Sequence, residues 1–236
     1  QGIYDTPGPG TGRLTLDDVI VKTGICFVIL VIGAVAGWNL MDRMPLIVWG
    51  AALVGFVLAM VNVFKKQVSP PLILLYALVE GVFLGGISNL YNDLAVSNSY
   101  PGIVQQAVLG TLVAFGVMLA LYKTRIIKVN GIFQKMMMVA LVSYLVIGLA
   151  SLVAALFGVG QGWGFYGVGM IGIVLCVFGV GLAAFSLALD FESITQAINH
   201  GAPERESWRL AFGLLVTLIW LYLEILRLLA ILSNNR

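Results

Sequence analysis

Apolar residues run along this chain in seven stretches, at about 19–38, 46–64, 72–90, 103–122, 132–157, 165–190 and 208–232. Each approaches the roughly 20 residues an α-helix needs to cross a hydrocarbon layer about 30 Å thick. Polar, Pro-bearing or Gly-bearing breaks separate them at 39–45, 65–71, 91–102, 123–131, 158–164 and 191–207. The pattern predicts an all-α polytopic membrane protein, with residues 19–232 forming one domain of seven transmembrane helices. The break at 158–164 is glycine-rich and uncharged, so a re-entrant segment is the alternative to a plain loop there. Irregular backbone at membrane depth is tolerated where protein buries it.

Composition strengthens the pattern. Of 236 residues, 60% are hydrophobic and 10% charged, and the mean hydropathy is +1.02, whereas soluble domains carry roughly a quarter charged residues. Seven spans leave no room for an extramembrane domain. Residues 1–18 read as a flexible cytoplasmic arm, Gly- and Pro-rich through Pro7, Gly8, Pro9, Gly10 and Gly12. It ends in a capped helix start at Thr15, Asp17 and Asp18.

The net charge of +2 says little by itself, but its distribution sets the topology. With the N-terminus cytoplasmic, that side carries Arg13, Lys22, Lys65, Lys66, Lys123, Arg125, Lys128, Lys135, Arg205 and Arg209, against Arg43, Arg227 and Arg236 on the other. Ten against three is a positive-inside signal, and an odd number of spans places the C-terminus outside. Basic residues scattered in short loops argue against a nucleic-acid partner and leave membrane lipid as the first one. Trp38, Trp49, Tyr91, Tyr100, Trp163 and Trp208 near run ends suit interfacial anchors. Glycines within spans, among them Gly81, Gly85, Gly86 and Gly179, favour close helix approach.

Few residues can carry chemistry. Glu80 in the third stretch, Asp190 at the cytoplasmic end of the sixth and Glu224 in the seventh are costly in hydrocarbon and must face protein or water. Such carboxylates suit proton sensing, or oxygen ligation of a hard cation such as Ca²⁺. A protonated acid hydrogen-bonded to a neighbouring helix is the plainer reading of each. Arg227 and Lys22 sit near run ends and can snorkel. Arg227 also stands i,i+3 from Glu224, in reach of an ion pair, while Glu192, Glu204, Glu206, Arg205 and Arg209 read as a solvated loop face.

Enzyme chemistry is not expected. The sole histidine, His200, lies in a loop beside Gly201 and Pro203, which leaves no intramembrane Ser–His pair and no zinc site. The seventh stretch has no lysine for a Schiff base, and no phosphate-cradling loop occurs. Cys26 and Cys176 sit inside apolar runs as small hydrophobes. No cofactor is expected beyond Ca²⁺ as a permeant or bound ion.

The sixth stretch ends in Leu189-Asp190-Phe191-Glu192-Ser193-Ile194, and the seventh reads Trp220-Leu221-Tyr222-Leu223-Glu224-Ile225-Leu226-Arg227-Leu228-Leu229. With seven spans and the N-terminus inside, these segments resemble the Bax inhibitor-1 family in its bacterial branch. The opening from Leu16 to Gly24 and the Gly201-Ala202-Pro203 loop are similar to an actinobacterial type. The resemblance covers residues 14 to 232. It implies a fold with the seventh helix central and six others around it in two three-helix layers. It also implies a pH-dependent cation leak, chiefly of Ca²⁺, in the bacterial plasma (inner) membrane, sensed by an acidic pair. That pair falls on Asp190 and Glu224, which would also be the Ca²⁺ ligands. The second position is glutamate here where the better-known bacterial form has aspartate. A latching arginine after the second span has no clear counterpart, and Lys65, Lys66 and Arg227 are the basic residues left for that role.

Depth sets a condition on the pair. A turn at 201–203 puts Asp190 and Glu224 about 15 Å apart in depth if both arms are fully helical, and about 9 Å apart if residues through Ser207 are not. Two other functions fit the same composition. One is a non-conducting accessory subunit of a larger membrane complex, docked through helix faces or the arm with Asp5, Asp17 and Asp18. The other is a proton-coupled transporter of a small solute.

Overall fold

The computed structural model describes residues 12–97, 100–162, 164–167 and 169–234. Asp5, most of the arm, Trp163 and Arg236 lie outside the described residues. Among the described residues, seven α-helices are long and apolar enough to cross a membrane: α1 (Leu16–Met41), α2 (Pro45–Phe64), α3 (Pro70–Ser97), α4 (Ile103–Lys123), α5 (Gly131–Leu156), α6 (Gly169–Asn199) and α7 (Ser207–Asn234). The protein is a multi-pass membrane protein. No strand forms among these residues, and their only extended pairing is an isolated bridge between Arg13 and Pro203.

Among the boundaries that differ from the apolar runs, three have a local reason. Helix α1 begins at Leu16, inside the stretch expected to be arm, because Thr15 caps it. The Asp18 amide donates to Thr15 Oγ1 (3.3 Å) and the Thr15 amide donates to Asp18 Oδ2 (2.9 Å), a reciprocal capping box. Helix α3 runs on to Ser97, with Tyr91 and Ala95 buried one turn apart. Helix α6 continues nine residues past Asp190, since Phe191 and Ile194 keep a buried face while Glu192 and Gln196 line another and bond to each other. A hydropathy run ends at the first charges, but an amphipathic helix does not.

The chain divides into two compact units. The first holds α1, α2, α3 as far as Leu90, and Asp190–Val216, the end of α6 with the start of α7. Here α1 and α3 are fused by glycines spaced four apart on both helices. A Cβ on Gly33 would fall on the Leu78 carbonyl oxygen and one on Gly37 on that of Val82, while Cβ atoms on Gly81 and Gly85 would fall on the carbonyl oxygens of Leu30 and Ala34. Only hydrogen fits at such backbone approaches, the usual way helices bind each other in lipid. Asn89 of α3 adds a donor to the Trp38 carbonyl (2.9 Å).

At the other end of this unit, Gly12 to Leu14 lie against the α6–α7 connection. Leu14 donates its amide to Ala202 (2.9 Å), and Glu204 donates its amide to Gly12 (2.8 Å). Leu14 packs with Val19, Ile194 and Ala202 in a small apolar cluster. Lys22 is mostly buried and binds the Glu204 carboxylate at 2.8 Å, so Glu204, whose side chain is 46% exposed, holds an ion pair while facing solvent.

The second unit holds Tyr91–Leu189 and Thr217–Arg236. Its distinctive part is the α5–α6 connection, two short 3₁₀ turns at Val159–Gly162 and Gly164–Gly167. Gly160 and Gly167 meet backbone to backbone, and Gly164, at φ +62°, sits on the Ser151 carbonyl of α5. The Phe165 amide donates to Ser151 Oγ (3.0 Å). The glycine-rich break is thus an irregular segment tucked against a helix, with the Phe165 amide bonded to it.

The glycine contacts give a direct test. Gly85→Val should weaken the protein by about 1–3 kcal/mol through forced separation of α1 and α3. Gly24→Val, in a helix position with nothing within 4 Å, should leave it unchanged. Equilibrium unfolding in mixed micelles distinguishes the two.

Candidate functional site

Trp220, Glu224 and Arg227 follow one another at helical spacing on α7 and so share a face. The tucked connection brings Tyr166 to that face, and α5 brings Tyr144. Glu224 is 3% exposed, and its Oε1 accepts three donors: Tyr144 Oη at 2.8 Å, Trp220 Nε1 at 3.2 Å and Arg227 Nη1 at 3.3 Å. Its Oε2 is buried without a hydrogen-bond partner among the described residues. That oxygen lies against Gly179 of α6, where a Cβ would stand 2.8 Å from it and would fall on the Tyr144 hydroxyl. Gly179 is therefore what lets α6 close over the carboxylate.

Arg227 neither snorkels outward nor stands alone. Its guanidinium pairs with Glu224, lies 4.5 Å over the ring centre of Tyr166 and faces Tyr91. A cation over an aromatic face gains about 0.5–2 kcal/mol, more as water is excluded. Tyr91 is buried at 6% exposure, which corrects its reading as an interfacial anchor. The Tyr166 hydroxyl donates to Tyr144 Oη (2.9 Å), so Tyr166, Tyr144 and Glu224 form one hydrogen-bonded file. A cleft of about 430 Å³ runs beside it, lined by Leu141, Leu145 and Leu149 of α5 and by Tyr144, Tyr166, Trp220, Glu224 and Arg227.

The donors around Glu224 do not suit resident Ca²⁺. That ion takes six to eight oxygens, but a guanidinium occupies the approach to Oε1 and glycine backbone covers Oε2. Among the described residues no three His, Cys, Asp or Glu side chains gather.

The other two carboxylates lie in the first unit. Glu80 is half-buried on α3, and its Oε2 lies where a Cβ on Gly55 of α2 would fall. It has no ion pair among the described residues. Asp190 is half-buried near Gly213 of α7, 3.8 Å from where a Cβ would stand there. Asp190 and Glu224 therefore belong to different units.

Of the basic residues considered for a latch, Lys65 and Lys66 have exposed side chains. Their carbonyls, at the C-terminal end of α2, instead accept Arg209 Nη2 at 3.2 and 2.8 Å. Arg209, read from sequence as part of a solvated face, thus ties α7 to the α2–α3 connection. Arg227 holds Glu224. Sequence reasoning passed over Tyr144, Tyr166 and Trp220 as a donor, and it named Gly179 only as one of several glycines favouring close helix approach. Only Trp220 carried a local signal, its i,i+4 spacing to Glu224, since Tyr144 is 80 residues from its partner.

Fold and site together define a polytopic helical membrane protein with a carboxylate–guanidinium pair buried among tyrosines. A family model described as Bax inhibitor 1 like matches residues 4–234, and the chain belongs to that family. No curated protein matches it significantly.

The contrast between the two units is measurable. Arg227→Met leaves a charged Glu224 buried without its cation and should cost about 3 kcal/mol. Glu80→Gln removes no ion pair and should unfold at the native denaturant concentration. A weakened Glu80→Gln chain would place a cationic partner outside the described residues.

Proposed function

We propose that this protein is a pH-sensitive cation leak of the bacterial plasma membrane, with Ca²⁺ as an ion it passes and Glu224 as the group through which protons act. The observation that carries the reading is the Glu224 carboxylate, closed off from solvent and holding donors from two helices on one oxygen. While charged, it binds Arg227, Trp220 and Tyr144 together. Protonation removes the charge that anchors the guanidinium, and a hydrogen bond to a charged acceptor weakens when that acceptor becomes neutral. The grip of α7 on α5 then relaxes. Asp190 and Glu80 are the other acidic candidates for acting on the ion, Ca²⁺ is cargo rather than a cofactor, and no covalent chemistry is assigned.

Calcium flux in proteoliposomes, followed as the pH is stepped from acid to neutral, is the test. Glu224→Gln, fixed in the uncharged form, should show a flux that no longer responds to pH, and Asp190→Asn a shifted profile. Three superimposed profiles, or a native chain that passes no Ca²⁺, would reject the leak and favour the accessory-subunit function.

Orientation is proposed on the ten-to-three distribution of basic residues. A reporter inserted in the 123–130 connection should read as cytoplasmic, and one fused after the last residue as external. A cytoplasmic C-terminal reporter would mean that one helix does not span.

A further inference from the structure

We propose that Tyr166 and Tyr144 relay protons to Glu224 from the membrane face that carries the α5–α6 connection, so that the buried carboxylate samples the pH of that face. The inference rests on Glu224 being the group that takes up the proton.

The file is continuous: Tyr166 Oη to Tyr144 Oη is 2.9 Å and Tyr144 Oη to Glu224 Oε1 is 2.8 Å. It also runs from outside inward, because Tyr166 is half-buried in the connection, Tyr144 is 8% exposed and Glu224 3%. The entry point is held in place. Gly164 on Ser151, Gly160 against Gly167, and Gly172 beneath the Tyr166 carbonyl fix the turn, and Arg227 sits over the Tyr166 ring.

Other polar groups face Glu224 within this unit, namely Arg227 and Trp220 of α7, Cys176 of α6 and Tyr91 of α3. The guanidinium and the indole N–H donate but have no lone pair to accept a replacement proton, whereas a phenol does both. Cys176 and Tyr91 are buried, and Tyr91 is hydrogen-bonded to Arg227. Transfer balances without leaving a tyrosinate. Glu224 takes the Tyr144 proton, Tyr144 takes that of Tyr166, and Tyr166 takes one from water at the connection. One proton enters, and each phenol breaks one O–H bond and makes another.

The indole of Trp220, bonded to the carboxylate, is the probe. Proteoliposomes of one orientation, checked by protease access to the 123–130 connection, receive an acid step on one face and then the other. The Trp220 signal is the fluorescence change lost in Trp220→Phe. The native chain should respond quickly to the step on the face bearing Tyr166. Tyr166→Phe and Tyr144→Phe should slow that response by roughly tenfold or more, the loss of a positioned proton donor, and still reach a final change. Tyr166→Phe keeps the ring under Arg227 and decides the question alone should Tyr144→Phe not fold. Unchanged rates in Tyr166→Phe, or a faster response to the opposite face, overturn the relay and leave Glu224 as the sensor. A response that survives in Glu224→Gln overturns both.

Discussion

A carboxylate in hydrocarbon has no water to fall back on, and that constraint organises the second unit around Glu224. Each surrounding group answers it. Trp220 and Arg227 come from the same helix at the spacing that lets them reach back, Tyr144 comes from α5, and Gly179 removes the side chain that would otherwise hold α6 off. The remaining charge problem, that of Arg227 itself, is met by Tyr166. Positioning Tyr166 requires the connection to fold inward, and only glycine permits that turn. The uncharged, glycine-rich segment is thus part of the site, not spare linker.

The first unit answers a different demand. Helices gain nothing in lipid by burying apolar surface against each other, so contact must come from close fit. Gly33 and Gly37 against Gly81 and Gly85 supply it. The polar connections are then tied by charged groups: Lys22 on Glu204, and Arg209 on the carbonyls that end α2.

The seven helices were legible in the sequence because the hydrophobic run is a strong, local signal, and so were the candidate acids, which are conspicuous against an apolar background. Helix ends were not legible where amphipathic turns followed a span, as at Phe191 and Tyr91. The partners of the acids were legible only within one helix. Glu224 and Arg227 are three residues apart and could be paired on spacing alone, whereas Tyr144 meets Glu224 through packing that no local pattern encodes. Lys22 and Glu204 read as independent surface charges for the same reason. Gly179 was visible only as one small residue among many, since its meaning depends on what lies across from it.

The Lys22–Glu204 pair joins positions 182 apart in the sequence, which has a consequence for biogenesis. As the ribosome delivers α1 to the bilayer, Lys22 has only Asp18 beside it; the Glu204 carboxylate does not yet exist, and neither does the segment that receives Leu14. The lysine must wait in the headgroup water while five further helices are inserted. The unit that contains the first three helices therefore stays open until residues 190–216 have been made. A chain cut before the final connection would keep only the longer contact of Lys22 to Asp18 (3.7 Å) and would leave Leu14 without Ile194 and Ala202 to pack on.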